Sequence, residues 1–193
     1  MTILLLGLAL FLATHFFTGY ARGAREALIA KLGANPYKRL YSLVALIGFV
    51  LIIVGWRHAE PIPVYTPPAW GVPAAYALMT VSLILFTAAY LPAGRIKSAV
   101  GHPMILGLIL FSFAHLLANG DSRSLALFAS FLVYGVADRV AYRLRGDRGG
   151  QGTSVTGDAL SVGGGLLSAF VVVHFTHRYV AGVPLYPQHP FGS

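Results

Sequence analysis

The chain has 193 residues, of which 56% are hydrophobic and only 10% charged, whereas a water-soluble domain carries about 25% charged residues. Twenty charged side chains cannot cover a fold of this size, so lipid is the solvent for most of its surface, in line with a mean hydropathy of +0.71. The formal charge of +8 lies at the flanks of apolar runs and forms no aromatic-interleaved stripe, which argues against a nucleic-acid partner. No cysteine is present, which excludes disulfides, thiolate metal sites, iron–sulfur clusters and a cysteine nucleophile.

Apolar runs bounded by Gly, Pro or charge recur along the chain, and a membrane core needs about 20 mostly apolar residues per helix. The predicted spans are Ile3–Tyr20, Tyr37–Trp56, Val72–Leu91, Pro103–Ala118, Ser122–Tyr142 and Asp158–Val180. This is an all-α, polytopic membrane helix bundle of about six transmembrane helices, forming one domain over residues 1–193. Ile3–Leu12 has no basic residue ahead of it and no clear small-residue cleavage site behind it, so it reads as part of the first span. No breaker occurs from Ala21 to Leu32, and Arg22 and Glu26 have the spacing of a helical ion pair. The first helix is therefore predicted to continue to Gly33, with Asn35-Pro36 turning into the second. His58–Pro73 is a Pro-rich loop with an interfacial Trp70, and Arg145–Gly157 reads as a flexible Gly- and charge-rich loop.

The fourth span opens at Pro103, a first-turn proline, and Gly120 is its predicted C-cap. Asp121 or Ser122 then caps the fifth. In the sixth span, Ala159/Gly163 and Gly164/Ser168 have the small-residue spacing that lets helices approach closely. The loops following spans one, three and five, with the span ends beside them, hold eleven of the fourteen basic residues; the other side holds Arg57, Arg123 and Arg178. The positive-inside rule then puts that side in the cytoplasm and both termini outside it.

His15 and His115 stand inside apolar helices, where an ionisable side chain is expensive and faces the bundle interior with a partner. Counted from the cytoplasmic ends at Leu32 and His102, they reach depths of roughly 25 and 20 Å at 1.5 Å per residue. Each is either an iron ligand, the two clamping one haem, or a polar contact between helices. Arg22 and Arg25 suit haem propionates or anionic lipid head groups. His174 and His177 share a helix face and, with His58 and Glu60, form a weaker metal candidate. His102 is a candidate N-cap, Asp138-Arg139 an interfacial ion pair, and His189 lies in a Pro-rich tail. No Ser-His-Asp set, phosphate loop or carboxylate pair stands out.

The segments GHPMILGLILFSFAHLLANGD (Gly101–Asp121) and LFASFLVYGVADR (Leu127–Arg139) resemble the NnrU family of bacterial membrane proteins. Leu91–Lys97 and Tyr37–Leu43 fit the same family. The resemblance implies an inner-membrane protein linked to nitrite and nitric oxide metabolism in denitrification, with a nitrogen-oxide reductase complex as a candidate partner. The family is related to the 15-cis-zeta-carotene isomerase, a haem b protein. Its helix-four histidine falls on His115 and its first-helix histidine on His15; its nearby cysteine is Ser112 here. The resemblance thus implies haem b on His15 and His115, with Arg22 and Arg25 as propionate partners. The alternatives are a haem-dependent isomerase of an apolar polyene, against which Ser112 counts, and a cofactor-free scaffold or permease.

Overall fold

A computed structural model describes residues 1–182 and 185. Nine α-helices are found among them: α1 (Thr2–Tyr20), α2 (Arg22–Leu32), α3 (Ala34–His58), α4 (Gly71–Tyr90), α5 (Arg95–Val100), α6 (Pro103–Ala118), α7 (Ser122–Leu144), α8 (Val155–Val171) and α9 (His177–Val180). A π-helical turn, Val172–Thr176, joins α8 to α9. Among the described residues there is no strand, only an isolated bridge between Pro63 and Asp121.

Five helices are long and apolar enough to cross a membrane: α1, α3, α4, α7 and the α8–α9 run, Val155–Val180. The sixth predicted span is α6, an apolar helix shorter than these five. Their outward faces are apolar, with Leu6 60%, Val133 65% and Leu167 63% exposed. Such a surface is stable against lipid tails and not against water. The enclosed core is small by comparison: Leu4, Leu8 and Ile52, with Phe11, Leu127 and Phe131 packed against it.

The helices lie side by side in the order α3–α1–α7–α6–α4–α8. Glycine makes the tightest of these contacts possible. A side chain at Gly48 would meet the backbone nitrogen of Phe11 at 2.8 Å, and one at Gly7 would meet that of Ile52 at 2.6 Å. Three consecutive turns of α3 therefore rest directly on α1. The α8 contact uses Gly157, Ser161 and Gly165, which are buried, while Gly163 has nothing near it. Of the two glycines in the predicted small pairs, Gly164 lies against a neighbour, Thr87, and Gly163 does not. The small stripe is real, but its phase differs from the expected one because the i,i+4 rule names a spacing and not a face.

The first helix does not continue to Leu32. It ends at Tyr20, and Ala21 leaves helical geometry at φ −95°, ψ 50°. α2 carries Arg22, Arg25, Glu26 and Lys31 and buries no residue, so it belongs at the water-facing edge while α1 belongs in hydrocarbon. Arg22 and Glu26 form no ion pair; those among the described residues are His102–Asp147 and Asp121–Arg123. Gly33 ends α2 with φ 85°, as expected, but α3 starts at once, with Pro36 in its first turn instead of a separate turn.

At the far end of α6 the C-cap is Asn119, not Gly120. Gly120 is required for another reason: the chain at Tyr65 lies against it, and Val64 and Tyr65 donate their N–H groups to its carbonyl. Asp121 caps α7, accepting from the N–H groups of Arg123 (3.1 Å) and Ser124 (3.0 Å). On the opposite side, the loop after α7 is tied to the α4–α6 connection. Gly150 donates to Gly101 (3.2 Å), Ser154 to Ala93 (3.1 Å), and Gly152 and Ser98 exchange bonds of 2.7 Å.

Candidate functional site

A cleft of about 390 Å³ opens on the basic side between α1, α2, α3 and α7. It holds three of the four residues singled out from sequence: His15, Arg22 and Arg25. His15 arrives there because α1 ends five residues later, at Tyr20, which leaves it one and a half turns from the basic edge. Its Nδ1 lies 2.7 Å from the carbonyl of Phe11. A carbonyl only accepts, so Nδ1 carries the proton and, in the neutral ring, Nε2 keeps the lone pair a metal needs. Phe11 lies 4.1 Å from the imidazole, centre to centre, and Tyr41 and Tyr134 meet it edge-on at 5.8 and 5.9 Å.

The rest of the cleft is polar. Arg22, Arg25, Lys38 and Arg145 face one carboxylate, Asp138. Asp138 is only 5% exposed and forms no ion pair with Arg139, contrary to the sequence expectation. Adjacent positions on a helix diverge by about 100°, and Arg139 instead donates to the carbonyl of Val100 at 2.7 Å. Tyr37, Lys38, Tyr134, Asp138 and Arg145 were not marked as site residues by sequence. Tyr37, Lys38, Asp138 and Arg145 gave one advance signal, their place at or near the basic ends of α3 and α7; Tyr134, in the middle of α7, gave none.

His115 is elsewhere. It stacks on Phe128 at 4.2 Å and 24°, with Phe111 at 4.3 Å, one turn from the C-terminal end of α6. His15 meets α7 at Tyr134 and His115 meets it at Phe128. Six residues of helix separate these levels by about 9 Å, and the two positions lie on different faces. A single iron with Fe–N bonds of about 2 Å requires nitrogens about 4 Å apart. The similar depth expected for the pair presumed an unbroken first helix, and the break at Ala21 shifts the reference point. The two imidazoles are therefore not placed to clamp one iron, and His15 alone of the pair opens on the cleft. Ser112 is fully buried and gives its hydroxyl to the carbonyl of Leu108 at 2.8 Å.

The other candidates have structural partners. His102 precedes α6 but makes no side-chain cap; its ring stacks on Tyr142 at 3.9 Å, and Nε2 lies 3.3 Å from Asp147. No group of three His, Cys, Asp or Glu residues suited to a metal ion occurs among the described residues, so His58, Glu60, His174 and His177 make none. His189 lies outside the described residues.

The apolar, laterally packed helices and the cleft at their basic edge define a multi-pass membrane protein of the helix-bundle class. Within that class, the sequence profile of the NnrU protein family matches residues 3–185, and the chain belongs to that family. No curated protein matches the chain, and no solved structure does.

Proposed function

We propose that this NnrU-family protein holds haem b in the basic-side cleft, with His15 as its protein ligand to iron, and serves nitrite and nitric oxide metabolism in a bacterial inner membrane. The observation that carries this reading is the orientation of His15. Its Nδ1–H is committed to Phe11, its Nε2 lone pair remains for a metal, and Arg22 and Arg25 line the same cleft. Aromatic rings around the imidazole suit the apolar body of a porphyrin, and the two guanidiniums suit its carboxylates. Haem on one protein imidazole supplies an iron that takes a small diatomic such as nitric oxide. The excess of basic residues around the cleft supports a cytoplasmic face for it, with both termini outside. A nitrogen-oxide reductase complex is the partner this role implies.

The test is the visible spectrum of detergent-purified protein, oxidised and reduced, after expression with haem supplied. A Soret band retained in His115→Ala and lost in His15→Ala is expected. Colourless wild-type protein overturns haem binding, and a band that survives His15→Ala overturns the ligand.

A further inference from the structure

The cleft contains two donors that the protein's own bonding leaves over. The hydroxyl of Tyr37 and the Nε–H of Arg145 are both buried and make no hydrogen bond. Tyr37 is only 7% exposed, held by Tyr41 at 6.5 Å and by the Arg25 guanidinium 5.9 Å above its ring. Arg145 lies over the ring of Tyr142 at 4.7 Å, and its NH1 reaches the carbonyl of Gly19 at 3.5 Å, leaving Nε over. A buried donor without a partner costs about 1–3 kcal/mol, and two of them lining one cleft call for an acceptor. With Arg22, Arg25 and Lys38 also present, four cations face a single carboxylate, so that acceptor is an anion.

We infer that the basic end of the cleft is a phosphate oxyanion site, formed by Tyr37, Lys38 and Arg145, that takes the head group of an anionic membrane lipid. Tyr37 lies in the first turn of α3 and Arg145 directly after the last residue of α7. Both therefore stand at the membrane edge, where lipid phosphates lie and basic side chains collect anionic lipids. Geometry adds selectivity, because a phenol and a guanidinium edge direct hydrogen bonds at oxygen, which charge alone does not. The site shares the cleft with the proposed haem but uses different atoms and does not depend on it.

The test is native mass spectrometry of the full chain in detergent with phosphatidylglycerol or phosphatidylcholine added. It runs beside thermal unfolding with inorganic phosphate, for wild type, Tyr37→Phe and Arg145→Lys. Wild type retains phosphatidylglycerol over phosphatidylcholine. Each variant loses roughly ten-fold in that retention, as expected for one hydrogen bond to a charged group. Without lipid, Tyr37→Phe melts no lower than wild type, because the hydroxyl it lacks had no partner. Stabilisation by inorganic phosphate alone that is lost in the variants supports the oxyanion site with a free anion as its occupant. Equal retention of the two lipids, or retention unchanged in both variants, overturns the site. The Soret band recorded on these samples and on His15→Ala separates the two readings, since His15→Ala is expected to remove haem and leave lipid retention intact.

Discussion

The carboxylate of Asp158, at the start of α8, accepts the backbone N–H groups of Arg95 at 2.8 Å and Ile96 at 3.0 Å. Those groups open α5, a six-residue helix whose N-cap, Gly94, has no side chain to satisfy them. A residue 63 positions away thus does the work of a cap and fastens the α4–α6 connection to the last span. Asp158→Ala is expected to cost about 1–2 kcal/mol, the value of a lost cap, and Asp158→Asn less, since it keeps one acceptor. Thermal unfolding in detergent measures both; an unchanged melting temperature in Asp158→Ala refutes the link.

Gly55 stands against the backbone of Leu4, closer than any side chain allows. Leu4 is completely buried, so neither partner has room to move aside. Gly55→Ala is expected to destabilise by about 1–3 kcal/mol through overpacking, and Gly55→Leu to prevent the α1–α3 pair from closing. Gly163→Ala, with nothing near it, is the control and leaves the melting temperature unchanged.

Tyr65, in the Pro-rich loop, donates its hydroxyl to the carbonyls of Leu116 and Asn119 and so fastens that loop over the end of α6. Tyr65→Phe is expected to cost about 1 kcal/mol. Burial, and next the carboxylate of Asp121, push the Tyr65 phenol above its ordinary value of 10.0. The folded state then holds this proton more tightly than the unfolded chain does. The bond is fully present below pH 10 and weakens as pH rises through and beyond that range. An alkaline melting series checks this, with a shallower decline expected for Tyr65→Phe.

Much of the fold was legible because lipid imposes a coarse rule. Every span must be apolar and long enough, and its ends must carry charge or a breaker. The cap at Asp121 and the end of α2 at Gly33 were legible for a local reason, since one residue's backbone and side-chain chemistry decides each. The continuous first helix failed because nothing local marks Ala21. Arg22 and Glu26 have the spacing of an ion pair, yet that pair is not formed, and the charge on α2 withdraws it from the membrane while α1 stays.

The candidate site divides along the same line. His15, Arg22 and Arg25 were legible because a histidine in hydrocarbon and basic residues at its edge stand out in any apolar sequence. Grouping His15 with His115 was not justified, for depth along separate helices says nothing of the faces that meet. By itself the sequence determined that the chain is a bundle of apolar helices suited to lipid and which side of it is basic, since these follow from hydropathy and charge summed along the chain. Only the tertiary structure decided which imidazole opens on the cleft and brought Tyr37, Asp138 and Arg145 to it. Those outcomes depend on helix rotation and on glycine contacts that bring α1, α3 and α7 together, and residue spacing fixes neither.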